Sequence, residues 1–413
     1  MKRVAITGMG AITPLGNTVK EFWNKIVHGY SGSTPITKFD ASKFKTNFAC
    51  EVRNFDPELY MERKEIKKFD LFTQYAIAAS QQAITDASLN FAVMDEEARS
   101  QIGVIWASGY GGISTFEQQL SEYNSGDGTP HFNPYFIPKI IVNIAAGAIA
   151  IKHKLYGPNY ATVSACASSS TAIICAFDTI RLGKAKIIIT GGSEAAITPS
   201  SIGGFNASQA LSKNNSDPGK ASRPFDSDRD GFVAGEGAGA LILEEYDHAV
   251  QRGAKIYGEM VGAGMASDAY HLTGTHPQGY GASLGIKNAL SDARIAPSDI
   301  GYINAHATST PQGDLSELNA IHQIFGSLPV SISATKSMTG HLLGAAGAIE
   351  SIITILAIKN DIVPGTINVQ QLDPLISADL NIVVGKSINK TIKYGLNNTF
   401  GFGGHIATII FKK

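Results

Sequence analysis

The sequence predicts an α/β protein built from two similar halves, and three observations carry that prediction. Short apolar strands alternate with helical segments. Glycine is abundant, 43 residues, and clusters where the strands end. A strand, small-residue turn and apolar helix around Cys166 recurs around Val330–Ser333, Lys336 and a helix read from Leu342 to Ile358.

The clearest strands are Val4–Thr7, Ile102–Trp106, Ile187–Thr190, Ala240–Leu243, Tyr302–Ala305, Ile382–Val384 and Ile406–Phe411. Pairs such as Gly111-Gly112, Gly191-Gly192 and Gly403-Gly404 let the backbone turn sharply or approach a substrate. Polar segments Tyr123–Phe132 and Ser212–Ser222 read as loops. The second precedes a charge-dense run, Arg223 to Phe232, which either packs over a site or forms a solvated turn with internal salt bridges. Two halves meeting near Gly253 account for the length of 413 residues, giving domains 1–253 and 254–413.

Composition excludes several classes. Lys+Arg 34 against Asp+Glu 35 leaves a net charge of -1, so the chain as a whole has no electrostatic case for nucleic acid or membrane surfaces. The apolar stretch Ile140–Ile151 is too short to span a bilayer. Cys50, Cys166 and Cys175 form an odd, sparse set, as expected in a reducing compartment. The chain reads as soluble and cytoplasmic. Gly8-Met9-Gly10 hints at a dinucleotide loop, but Thr13 stands where a third glycine belongs, and the segment reads as a turn.

Cys166 is the principal candidate nucleophile. It precedes a run with Ile173, Ile174, Phe177 and Ile180 at helical spacing, so its sulfur lies at a helix N-terminus, where unpaired N–H groups favour the thiolate. His306 follows the strand Tyr302–Ala305, and His341 opens an apolar helix after Gly340. Lys336 lies five residues before His341, and Glu350 is the only charge on a long apolar helix face, expected to be buried and partnered. A cysteine with two histidines points to acyl transfer: the sulfur holds an acyl group and the imidazoles donate to a developing oxyanion. The second histidine is more than a cysteine protease needs.

Four ordered segments, Ser164–Ser169, Ala305–Pro311, Thr335–His341 and Phe400–Gly404, together resemble the signatures of the elongating β-ketoacyl-acyl carrier protein synthases. The resemblance runs from Val4 to the final strand. It implies a thiolase-like fold of two α/β halves stacked as αβαβα, an acyltransferase performing decarboxylative Claisen condensation, and a homodimer. It also implies acyl- and malonyl-loaded acyl carrier protein as partner, with no redox cofactor and no catalytic metal. By resemblance Cys166 carries the acyl chain, His306 and His341 stabilise the enolate, and Lys336 organises that pair. The N–H groups of Cys166 and Phe402 form the oxyanion hole, and the Phe402 ring gates the acyl pocket. Arg63, Lys64, Lys67 and Lys68 correspond to a segment that docks the acidic carrier.

Three positions depart from the family pattern. Ala307 replaces a common glycine, His405-Ile406 a frequent Thr-Asn, and Tyr110 a smaller residue near the acyl tunnel, where it is expected to shorten or bend the pocket. Two related readings compete. A thiolase would use a second cysteine as acid/base, and neither Cys50 nor Cys175 sits in a matching glycine-rich motif; a non-catalytic chain-length-setting subunit would lack Cys166.

Overall fold

The computed structural model describes residues 1–413. Ten principal strands fall into two sets of five. The first comprises β1 (Val4–Ile12), β2 (Ile102–Ala107), β3 (Asn159–Thr162), β4 (Ile187–Glu194) and β5 (Gly237–Glu245). The second comprises β6 (Gly258–Ser267), β7 (Ile300–Asn304), β8 (Ser331–Ser333), β9 (Tyr394–Gly401) and β10 (His405–Lys412). In space the first set runs β3-β2-β4-β5-β1 and the second β8-β7-β9-β10-β6, with the short strand Asn381–Ile382 beyond β8. Both follow one order, third-second-fourth-fifth-first, with the same pattern of parallel and antiparallel neighbours. A short antiparallel ladder, Val4 to Met260 through Ile6 to Gly258, joins β1 to β6.

Alternation along the strands shows how the layers stack. In β4, Ile187 and Ile189 face a cluster containing helices α1 (Leu71–Asp86) and α2 (Ile144–His153), whereas Ile188 faces α3 (Ser168–Arg181). In β10, Ile410 faces α4 (Tyr280–Ala293) and α5 (Pro311–Phe325), whereas Ile409 and Phe411 share the central cluster with α3 and α6 (Ala346–Asn360). Each sheet is thus buried on both faces, with α3 and α6 between the two. The order is helix, sheet, helix, sheet, helix. This is the thiolase-like α/β architecture.

Gly8 and Gly10 lie inside β1, not in a turn. A Cβ on Gly8 would stand 2.2 Å from the Ala83 carbonyl oxygen, and one on Gly10 1.9 Å from that of Ala79, so these glycines let α1 lie directly on the strand. The same device recurs in β6. Cβ atoms on Gly262 and Gly264 would meet the carbonyl oxygens of Ala289 and Gly285 in α4 at 2.5 and 2.0 Å.

Other expectations shift locally. The strand read as Tyr302–Ala305 ends at Asn304, and Ile382–Val384 shrinks to Asn381–Ile382. Tyr123–Phe132 begins inside a helix, Ile113–Ser125, and the helix read from Leu342 is a tight turn, Leu343–Ala345, followed by α6. The segment Leu343–Asn360 is long and apolar enough to cross a bilayer, but 89% of it is buried within the protein.

Candidate active site

β3 ends at Thr162, and the chain makes one tight turn before α3 begins at Ser168. Ala165 takes a left-handed conformation, φ 51°. The Ser168 hydroxyl accepts the Ser164 N–H at 2.9 Å and donates to the Ala165 carbonyl at 2.6 Å. This locks the turn and presents Cys166, half-buried, to a cavity of about 350 Å³. The backbone N–H groups of Phe402 and of Cys166 itself lie close enough to the sulfur to favour its anionic form.

The reactive form of that sulfur differs from expectation. Burial pushes the Cys166 thiol up to about 12, outweighing the Lys336 charge and the two N–H groups that pull it down. A helix start therefore does not by itself produce a resting thiolate here. The site holds a thiol that must lose its proton during reaction.

His306 and His341 line the same cavity. Their rings stand edge to face, centroids 5.3 Å apart and planes at 84°. Two anchors hold the His306 backbone turn: Glu317 in α5 accepts the His306 N–H at 2.9 Å and the Ala307 N–H at 2.8 Å. Ala307 is not left-handed, so the methyl group is accommodated. His341 donates its N–H to the Val233 carbonyl at 2.7 Å, and its ring packs edge-on against Phe232, 5.3 Å away. The charge-dense run thus ends against the site, while Arg223 bonds Asp230 at 2.9 Å within the run.

Burial and the neighbouring Lys336 charge hold both imidazoles well below the usual histidine range, so each is neutral at pH 7. In both rings Nδ1 is buried and makes no hydrogen bond, leaving Nε2 as the edge toward the cavity. Lys336 is buried and ion-paired with Glu350, as the sequence led us to expect of that acid. Burial raises the Glu350 carboxyl to about 7 despite its partner.

The Phe402 hairpin closes one side. Gly403 (φ 86°) and Gly404 (φ 78°) occupy conformations that other residues rarely adopt, and the Gly403 N–H donates to the Leu272 carbonyl at 2.7 Å. Phe402 itself is 38% exposed and lines the cavity. Two kinds of wall result: Phe205, Phe232 and Leu343 pack with Cys166 as an apolar wall, whereas Thr273, Thr275, Thr308 and Gln312 give the cavity a polar one.

Tyr110 does not line this cavity; it lies behind it, edge-on to Phe205 with centroids 6.3 Å apart. Of the four basic residues, Arg63 pairs with Glu58 at 2.8 Å and Lys64 with Glu62 at 2.8 Å. Lys68 lies 5.8 Å over the Tyr135 ring, and Lys67 is exposed. His405 is exposed at the start of β10, paired through its backbone with Gly401 and Ser267. The sequence reading missed Glu317, which accepts the His306 N–H, because nothing local distinguishes an acid on a helix face; it named Phe400 only as the start of a motif, without its contact to His306.

This architecture, with a half-buried cysteine facing two neutral histidines, defines a condensing acyltransferase. Residues 1–249 match the β-ketoacyl synthase N-terminal domain, and residues 257–370 match the C-terminal domain of the same name. The chain belongs to the β-ketoacyl synthase family and is an acyltransferase of that type. It is 49% identical to a 3-oxoacyl-[acyl-carrier-protein] synthase 2 of Synechocystis sp., covering 100% of this chain and 98% of the relative. It is 45% identical to the protein of that name from Vibrio harveyi, covering 100% and 99%. Among solved structures, the ishigamide ketosynthase/chain length factor superposes with a TM-score of 0.93 at 32% identity, covering 100% and 99%. A type II PKS acyl-carrier protein in complex with its ketosynthase bound to the hexaketide gives 0.90 at 34%, also covering 100% and 99%.

Proposed function

We propose that Cys166 carries the growing acyl chain in a condensation that lengthens it by two carbons on acyl carrier protein. The observation that carries this reading is the pairing of one thiol with two neutral imidazoles in a single cavity. The Cys166 sulfur attacks the acyl-carrier thioester, its proton passes to the departing carrier thiol, and the acyl group now sits on Cys166. Malonyl-carrier then enters along the polar wall. Its carbon–carboxylate bond breaks, carbon dioxide leaves, and the electron pair delocalises onto the thioester oxygen. His306 and His341, protonated on Nε2, each donate one N–H to that oxygen. Buried surroundings favour a neutral donor here, since an imidazolium pair would repel itself and Lys336. The enolate carbon attacks the acyl carbonyl, whose oxygen accepts from the N–H groups of Cys166 and Phe402, and collapse expels the Cys166 thiolate, which takes a proton from solvent to restore the thiol. Lys336 acts through its charge on both rings, and Phe402 forms the wall between the acyl and malonyl sides.

The sequence boundary at residues 253 and 254 gives the two halves of this reading, the first bringing Cys166 and the second the histidines and Phe402. A cytoplasmic homodimer fits as well. β3 is bonded only to β2 and leaves an open edge beside exposed Val163 (59%) and Ile151 (78%). An unpaired apolar edge of this kind is satisfied by a second copy of the same strand. Light scattering reads this directly, and a monomer at micromolar concentration would refute it.

Intact mass of wild type and Cys166→Ala after incubation with acyl-loaded carrier tests the mechanism. One acyl adduct on wild type and none on the variant is expected. No adduct on wild type, or equal adducts on both, defeats it.

A further inference from the structure

Glu194 is a buried carboxylate held by hydrogen-bond donors and not by an ion pair, and the mechanism above does not use it. It ends β4 and gathers four donors from two segments, the Ser108–Tyr110 turn and the turn at Gly344. One oxygen accepts the Ser108 hydroxyl at 2.8 Å and the Tyr110 N–H at 3.1 Å. The other accepts the Gly109 N–H at 2.8 Å and the Gly344 N–H at 2.9 Å. Ser108 and Tyr110 belong to the first half of the chain, Gly344 to the second. The approach is so close that a Cβ on Gly344 would lie 2.5 Å from the carboxylate and 2.4 Å from the Gly109 nitrogen.

What these donors hold is the apolar side of the cavity. Gly344 follows Leu343, which lines the cavity and is strained into a left-handed conformation at φ 50°. Non-glycine residues persist there only where their surroundings fix them. Tyr110 packs against Phe205, another cavity wall. An anionic acceptor that satisfies four donors holds its segments more firmly than neutral hydrogen bonds would.

We propose that Glu194 is a positioning residue for acyl-chain specificity, clamping the Tyr110 turn and the Leu343 turn together behind Cys166. The inference rests on the acyl-carrying role of Cys166. A short acyl group stays near the sulfur, whereas a long one must pass the walls that Glu194 fixes. Loosening the clamp therefore penalises long chains selectively and leaves the histidine side alone.

The test is Glu194→Gln, which keeps the size but replaces one acceptor oxygen with a donor facing donors. Rates of Cys166 acylation are measured with butyryl- and dodecanoyl-carrier, together with malonyl-carrier decarboxylation. The dodecanoyl-to-butyryl ratio is expected to fall about tenfold, with decarboxylation kept within about twofold. Ser108→Ala removes a single donor and should move the ratio the same way, by about threefold, which keeps the test decisive if the glutamine variant does not fold. An unchanged ratio, or equal loss of acylation and decarboxylation, overturns the proposal. Absence of any adduct on wild type would instead defeat the role of Cys166 itself.

Discussion

Gly401 faces the Ser164 carbonyl so closely that a Cβ at position 401 would lie 2.5 Å from the Ser164 oxygen and 3.1 Å from the Cys166 nitrogen. The hairpin carrying Phe402 is thereby pressed against the turn carrying the nucleophile. Gly401→Ala must separate them, which costs about 1–3 kcal/mol of stability and moves the Phe402 N–H away from the sulfur. Condensation is expected to fall further than stability, and equal activity at saturating substrate, with the variant fully folded, would sink this account.

The raised thiol of Cys166 sets a pH profile. Below its pKa the thiolate fraction grows tenfold per pH unit, so alkylation by iodoacetamide should rise about tenfold per unit from about pH 7 to about pH 10 without levelling. A plateau near neutrality would show a resting thiolate instead.

Lys336→Ala leaves Glu350 buried without its cation, and a loss of about 3–5 kcal/mol is expected in urea unfolding. The Glu350 carboxyl is raised above its unfolded value, so the folded state binds its proton more tightly. Removing Lys336 takes away the charge that pulls this carboxyl down, so it is raised further; stability of the variant therefore falls as pH climbs from about 4.5 to beyond about 7, and the deficit shrinks in acid. Lys336→Met combined with Glu350→Leu should recover most of the loss in stability while condensation stays impaired.

Two of the four basic docking candidates are already neutralised by carboxylates. Charge reversal at exposed Lys67 should thus raise the KM for carrier-bound substrate several-fold, with kcat little changed, whereas Arg63→Ala should have a smaller effect. Equal effects at both positions, measured at low salt, would remove Lys67 from the docking surface.

Tyr110→Ile tests the departure behind Phe205. Removing the ring should lengthen the range of accepted acyl chains; a chain-length profile identical to wild type would show that Tyr110 does not bound the pocket.

The chemistry-bearing residues were legible because each sits at a strand or helix end with a distinctive neighbourhood: Cys166 before an apolar helix, His306 after an apolar strand, His341 after Gly340. The strands were legible where isoleucine and valine dominate. β6, Gly258–Ser267, was not read as a strand, because its glycines and alanines have low strand propensity and are placed there by close helix packing. Gly8-Met9-Gly10, read as a turn, misled in the same way: its glycines lie within β1 and serve the close approach of α1. The buried acids Glu194 and Glu317 gain their meaning only from donors brought from distant segments, 84 to 150 residues away for the contacts of Glu194. The thiol pKa escaped as well, since burial depends on what the other half places over Cys166.

Sheet order is shared by the two halves, yet the reacting groups are divided between them: the sulfur on one, both imidazoles and the Phe402 hairpin on the other. Catalytic turnover is consequently a gauge of how the halves seat against each other. A solvent or substitution that loosens only that seam would silence the enzyme while every helix and strand still gave its full spectroscopic signal.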